Sequence, residues 1–95
     1  MRIALFIGTV SAFAVPAAAE PALKCNYEGN KTTVIIVSDA ATALQCNYNC
    51  TFTTEFGSYS AAGSTTVKAG ETKTVDEDTQ RSKVVGIKVN TLKCD

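Results

Sequence analysis

The 95-residue sequence contains no histidine and no tryptophan, and its nine Lys and Arg residues balance its nine Asp and Glu residues. Without histidine, a serine or cysteine nucleophile lacks its commonest general base. Nucleic acids and anionic membranes are bound through basic surfaces, so a neutral chain argues against both as partners. We therefore expect no catalytic residue, no enzymatic activity and no nucleic-acid partner.

The sequence also lacks the spacings that hold metals and phosphates. It has no phosphate-binding glycine loop, and its cysteines form no C-x-x-C pair of the kind that binds zinc. The carboxylates of Asp76, Glu77 and Asp78 are consecutive but have no EF-hand spacing, so a solvated loop between strands is favoured over a calcium site. No cofactor and no metal are expected.

The single long apolar run lies at the N-terminus. Arg2 precedes apolar residues 3–15, and the small residues 17–19 form an A-x-A cleavage pattern. The run is shorter than the roughly 20 residues that span a bilayer. The pattern predicts a signal peptide over residues 1–19 and one β domain over residues 20–95. We expect this domain to be secreted or periplasmic, with no membrane span after cleavage.

Four cysteines follow the predicted signal, namely Cys25, Cys46, Cys50 and Cys94. An exported chain folds in an oxidising compartment, so we expect these thiols to be paired in disulfides. A domain of this size also needs disulfides for its stability, because a single core below about 80 residues supplies only a few kcal/mol unaided.

Residues 44–56 alternate with period two, which predicts a long strand with one buried and one solvated face. Its buried parity runs from Leu44 to Phe56 and includes Cys46 and Cys50. These two cysteines would lie about 13 Å apart along the strand, beyond the roughly 7 Å that a disulfide spans. Cys25 and Cys94 therefore pair with them in one of two ways. Counting along predicted hairpins favours Cys25 with Cys46 and Cys50 with Cys94.

The remaining segments also alternate or carry β-branched runs. Residues 32–38 predict a strand buried on both faces that forms a hairpin with the long strand, and Gly57-Ser58 predicts a tight turn into residues 58–67. A short strand is expected at residues 72–75. The last strand, residues 83–94, would bury Val85, Ile87 and Val89, with a bulge near Asn90.

These strands predict an all-β fold, a small disulfide-stapled sandwich of two sheets, with a small open β-barrel as the alternative. The valine-rich strand, the long strand and the Val-Lys-Ala-Gly-Glu-Thr turn at residues 67–72 together resemble bacterial immunoglobulin-like domains. The resemblance implies a two-sheet sandwich and transfers no functional residue.

Two functional hypotheses fit such a chain. The first is a non-catalytic interaction module that binds a protein or glycan at the cell surface. The alternative is a secreted effector of the enzyme-inhibitor or toxin type, in which a rigid scaffold presents one protruding loop. Tyr27, Tyr48 and Tyr59 are candidates for an aromatic binding surface, although the strand parity of Tyr48 and Tyr59 favours core packing.

Cleavage of the signal gives the first testable prediction. The exported protein should begin at Glu20, because the A-x-A pattern ends at Ala19. Intact-mass analysis of the secreted or periplasmic species measures this directly. A mass that still includes residues 1–19 would contradict the prediction.

Overall fold

The computed structural model describes residues 20–95, so the predicted signal peptide lies outside the described residues. Six antiparallel strands form two three-stranded sheets, in the orders β1-β2-β5 and β4-β3-β6. The strands are β1 Ala22–Glu28, β2 Lys31–Val37, β3 Leu44–Thr54, β4 Gly57–Val67, β5 Thr72–Thr79 and β6 Val84–Cys94. The predicted all-β sandwich is confirmed in preference to the open barrel. No helix in residues 20–95 has the length and hydrophobicity needed to cross a membrane.

A long hairpin of β3 and β4 supplies the central strand and one edge of the second sheet. The strands pair from Leu44↔Val67 to Thr54↔Gly57, and Glu55 and Phe56 make the turn. The prediction that the strand extends to Phe56, with a turn at Gly57-Ser58, is wrong by one to two residues. The difference matters for Phe56, since that side chain is 88% exposed instead of buried.

The first sheet begins with the β1–β2 hairpin, whose two-residue turn is Gly29-Asn30. Gly29 has φ of 63°, a conformation that glycine adopts without a steric penalty. In β2, alternate side chains from Thr32 to Ile36 are fully buried, whereas their neighbours are only half-buried. The expectation of burial on both faces is therefore wrong, because the outer face of this middle strand has no covering layer.

The connection between β2 and β3 crosses from one sheet to the other, so the predicted hairpin of these two strands is wrong. The crossing occupies residues 38–43. It is held in place by Ser38, whose backbone N–H donates to the carbonyl of Glu71 at 2.9 Å. Consecutive strands pair in a majority of cases, and this pair is an exception that two facing sheets require.

All four cysteines are paired, but not in the predicted way. Cys25 bonds Cys50, which joins β1 in one sheet to β3 in the other, with 5.9 Å between Cα atoms. Cys46 bonds Cys94 directly across β3 and β6, with 4.0 Å between Cα atoms. The predicted pairing of Cys25 with Cys46 assumed the β2–β3 hairpin that the crossing replaces. The exclusion of a Cys46–Cys50 bond agrees with the intact β3 strand.

The core between the sheets consists of two clusters that share partly buried neighbours. The larger one surrounds Phe52 and contains Cys25, Val34, Cys50, Ala61 and Val84. The smaller one consists of Ile36, Cys46 and Val67. Cys25 pairs with Val34 across the first sheet, and both side chains belong to the Phe52 cluster. Cys50 belongs to this cluster and Cys46 to the smaller one, which agrees with the Cys25–Cys50 bridge.

The last two strands carry bulges, of which sequence periodicity predicted only one, in β6. In β6 the extra residues are Val85 and Lys88, since Thr54 pairs with Val84 and Thr51 with Val89. Val84 is buried and Val85 is 53% exposed, so the prediction that Val85 and Val89 face the core is wrong. The predicted bulge near Asn90 lies at Lys88. Strand β5 continues through the acidic run to Thr79, which corrects the predicted loop, and Val75 is its bulged residue.

The disulfides generate a stability prediction. The bridges span 25 and 48 residues of sequence, so the double variants Cys25→Ala/Cys50→Ala and Cys46→Ala/Cys94→Ala should each lose about 3 to 4 kcal/mol of unfolding free energy. Such a loss is comparable to the whole stability of a small domain. Urea unfolding followed by circular dichroism measures it. Unchanged midpoints in either variant would contradict a stabilising role for that bridge.

Candidate functional site

Four large apolar side chains are exposed in the described part of the chain, and the fold gathers all of them at one end of the sandwich. They are Tyr27, Phe56, Val85 and Ile87, with exposed fractions of 42%, 88%, 53% and 41%. Tyr27 lies near the end of β1, Phe56 in the β3–β4 turn, and the other two at the start of β6. We refer to these four residues as the apolar end.

Backbone hydrogen bonds between the loops fix the arrangement of the apolar end. The N–H of Val84 donates to the carbonyl of Gly29 at 2.9 Å, which ties the start of β6 to the β1–β2 turn. The N–H of Glu55 donates to the carbonyl of Lys83 at 3.2 Å, which ties the β3–β4 turn to the same place. The three chain segments that carry the exposed apolar side chains are therefore joined to one another.

Local sequence explains why Phe56 projects into solvent. A two-residue turn leaves no room for its second side chain to fold back on the strands, and the Phe56 N–H donates to the hydroxyl of Thr54 at 3.3 Å. The bulge at Val85 similarly removes that side chain from the core, because Val84 takes the buried position opposite Thr54. Sequence alternation alone assigned both residues to the core.

Charged side chains surround the apolar end on the adjoining loops and strand ends. All of them are exposed, and they include both signs: Glu28, Lys31, Glu55, Arg81 and Lys83. An apolar centre with a charged, solvated rim is the composition of many protein-binding surfaces. The β1–β2 turn on this rim is also rigid, since the Asn30 side chain donates to the carbonyl of Gln80 at 3.0 Å.

A cluster of polar side chains joins the edges of the two sheets along β4 and β5. The Tyr59 hydroxyl donates to the Asp76 carboxylate at 3.4 Å, and Lys73 Nζ donates to the Thr65 hydroxyl at 2.8 Å and to the carbonyl of Thr66 at 2.9 Å. Burial of the phenol, followed by the negative charge of Asp76, raises the pKa of Tyr59 from 10.0 to about 12. These contacts close the side of the sandwich with hydrogen bonds where the core is thin.

The outer face of the second sheet is an uncharged ladder of amides and hydroxyls across β3 and β4. Thr66 donates to the Gln45 side chain at 2.8 Å, Ser64 donates to Asn47, and Thr51 shares a hydrogen bond with Ser60 at 2.9 Å. Cross-strand pairs of this kind stabilise a sheet by satisfying one another. Their oxygens are already occupied, so the ladder is a structural feature of the hairpin.

The tyrosines singled out from the sequence separate into two groups. Tyr48 and Tyr59 are half-buried and pack against the core, and the Tyr59 ring stacks on Phe52 with 6.4 Å between centroids. Gly63 accommodates Tyr48, because a Cβ atom there would lie 3.0 Å from the Tyr48 hydroxyl. Only Tyr27 belongs to the apolar end, and the three tyrosines do not form one aromatic surface.

The acidic run does not assemble into a cation site within the described residues. Asp76, Glu77 and Asp78 lie on consecutive positions of β5 and pair with β2, so their side chains alternate between the two faces of the sheet. Among residues 20–95, no group of three or more Asp, Glu, Cys or His side chains converges as metal ligands do.

The chain matches no protein-family model, no curated protein sequence and no solved structure.

The environment of Tyr59 gives a prediction about pH. A raised pKa means that folding favours the neutral phenol, so its contribution to stability is present below pH 10 and is lost as the pH rises toward about 12. Absorbance titration of the phenols should show a late ionisation step with its midpoint near pH 12. The late step should disappear in Tyr59→Phe and remain in the control Tyr27→Phe. Loss of the late step in the control instead would contradict the assignment.

Proposed function

We propose that the protein is an exported, non-catalytic binding module that docks on a partner protein through its apolar end. The observation that carries this proposal is the exposure of Phe56, which projects 88% into solvent from a hairpin turn beside three further apolar side chains. Large aromatic side chains held in this way are the usual anchors of protein interfaces.

A protein partner fits this surface better than a glycan does. The apolar end combines one phenylalanine and two aliphatic side chains with a rim of mixed charge, and a protein surface offers both apolar pockets and charged groups to match. Sugars present mostly hydroxyl groups. The polar ladder of the second sheet would suit them chemically, but its acceptor oxygens are engaged within the sheet.

Preorganisation supports binding at this end. The hydrogen bonds from Val84 to Gly29 and from Glu55 to Lys83 hold the loops together before any partner arrives. The Cys25–Cys50 bridge fixes β1 against β3, the two strands that lead into the Tyr27 and Phe56 segments. A rigid surface loses little conformational entropy on association, which favours affinity for a given contact area.

An oxidising compartment outside the cytosol suits these features. Two intramolecular disulfides are typical of extracellular proteins, and the N-terminal sequence has the composition of a signal peptide. Within this proposal the protein acts outside the cytosol, in the periplasm or beyond the cell.

An immunoglobulin-like origin of the sandwich is part of the same proposal. The orders β1-β2-β5 and β4-β3-β6 correspond to strands A-B-E and C′-C-F of immunoglobulin variable domains, without the C″, D and G strands. In that correspondence the apolar end lies opposite the B–C loop, which is one of the antigen-binding loops of antibodies. Binding would therefore use the other end of the sandwich.

A second candidate function is a secreted inhibitor or toxin, and the position of Phe56 at the tip of the β3–β4 hairpin favours it. One aromatic side chain at the tip of a long hairpin could enter a cleft of an enzyme or receptor. The two candidates differ in how the binding energy is distributed. A docking surface shares it with Tyr27 and Val85, whereas insertion concentrates it in Phe56.

The proposal predicts that Phe56→Ser weakens partner binding by roughly tenfold or more without loss of fold. Because Phe56 is 88% exposed, the unfolding free energy should change by less than about 0.5 kcal/mol. The measurement is quantitative capture of envelope and extracellular proteins from the producing cells by immobilised oxidised protein. Ala41→Ser, an exposed change in the β2–β3 loop at the opposite end, is the matched control.

Equal recovery of the same proteins by wild type and Phe56→Ser would overturn docking at this end. Tyr27→Ser and Val85→Ser then distinguish the two candidates. If each of them also weakens capture, the shared surface of a binding module is supported. If neither does while Phe56→Ser abolishes capture, the insertion of a single residue by an inhibitor or toxin is supported instead.

A further inference from the structure

We infer that the free edge of β4 is a self-association surface, on which a second copy of the chain adds its own β4 antiparallel to the first. This surface is separate from the apolar end, and the inference goes beyond the proposed function. Four strands form the edges of the two sheets, namely β1, β4, β5 and β6. They differ sharply in how they are protected against pairing.

Charges or bulges interrupt three of the four edges. Strand β1 carries Lys24 and Glu28, β5 carries the acidic run and a bulge, and β6 carries two lysines and two bulges. By contrast, β4 runs for 11 residues, pairs with β3 without a register shift and contains no charged residue and no proline. Natural proteins usually protect a long, regular edge with charges, bulges or proline, so an unprotected one is a site for another strand.

The hydrogen bonds between β3 and the end of β6 show which backbone groups of β4 face away from β3. The N–H of Gln45 donates to the carbonyl of Asp95 at 3.2 Å and the N–H of Asp95 donates to the carbonyl of Gln45 at 2.9 Å, so the backbone of Gln45 faces β6. Because antiparallel ladders alternate, the backbone of Thr66, which pairs with Gln45, faces away from β3. The same alternation applies along the strand to Ser58, Ser60, Ala62, Ser64 and Thr66.

In the described chain, β3 is the only strand paired with β4, so these outward backbone groups have no strand partner. One of them has a side-chain partner, since the carbonyl of Thr66 accepts from Lys73. The outward residues are symmetrical about Ala62. A twofold axis there would pair Ala62 with itself and Ser60 with Ser64 of the second copy, and would form about eight backbone hydrogen bonds besides those to the two Thr66 carbonyls.

The side chains on this edge fit the same axis. Those that meet on the outer face are serine, alanine and threonine, which leave room for close approach of two strands. The same axis would place Tyr59 of one copy opposite Thr65 of the other. Tyr59 contacts Asp76 and Thr65 contacts Lys73, so Asp76 of one copy would lie beside Lys73 of the other. The opposite charges of Asp76 and Lys73 would therefore face each other across the axis. Both side chains belong to β5, in the first sheet.

The experiment is sedimentation velocity of the purified, oxidised protein over a concentration series up to roughly 1 mM. We expect a reversible monomer–dimer equilibrium. Ala62→Lys places two like charges at the axis and should raise the dissociation constant by roughly tenfold or more. Ala62→Ser is the matched control, because it keeps a small side chain and should leave the equilibrium unchanged. Ala62 is exposed, and thermal melting checks that both variants remain folded.

A charge exchange tests the register. Lys73→Glu alone should weaken the dimer, because two carboxylates then face each other, and adding Asp76→Lys should restore it. A wild type that stays monomeric throughout the series overturns the inference. A dimer that Ala62→Lys does not weaken also overturns it, and so does failure of the double exchange to restore association. Phe56→Ser should leave the dimer intact, so failure of the proposed docking function and failure of this inference give different results.

Discussion

The Cys25–Cys50 bridge is the constraint on which the rest of the structure depends, because it is the disulfide that joins the two sheets across a thin core. Of the nine buried apolar residues among residues 20–95, three are half-cystines and Phe52 is the only aromatic. A core of this size offsets little of the conformational entropy that folding removes. The bridge ties β1 to β3, and backbone hydrogen bonds join the β1–β2 turn, the β3–β4 turn and the start of β6 at the end of these strands. The apolar end therefore owes its geometry to a bond buried in the core.

Local pattern predicted the elements well, and the reason is physical. Side chains in a strand alternate between two environments, so the residues of β3 record in their own order which face is buried. The same information excluded a Cys46–Cys50 bond, and it assigned Tyr48 and Tyr59 to packing positions that the structure confirms. Turn residues located the ends of most strands to within one or two positions.

What the sequence did not reveal depends on contacts between distant segments. Whether β2 pairs with β3 or lies in the facing sheet depends on the relative free energy of two complete strand arrangements. The wrong choice between them also led to the wrong disulfide partners. Bulges at Val85 and Lys88 reverse the parity of part of β6, and no residue type marks them in advance. The candidate site was missed for the same reason. Phe56 and Val85 both continue an apolar alternation, and only the observed turn and bulge turn them toward solvent.

The crossed order of the two disulfides has a consequence for how the protein is made. The first cysteine bonds the third and the second bonds the fourth. A chain emerges from its N-terminal end, so Cys25, Cys46 and Cys50 are all accessible before Cys94. An oxidant that joined thiols in their order of appearance would link Cys25 to Cys46. Cys50 and Cys94 would then lack their native partners. Maturation thus requires either that the sheets assemble before oxidation or that an isomerase exchanges the early bond through a mixed disulfide. The yield of native protein should then depend on the thiol-exchange capacity of the compartment in which it folds.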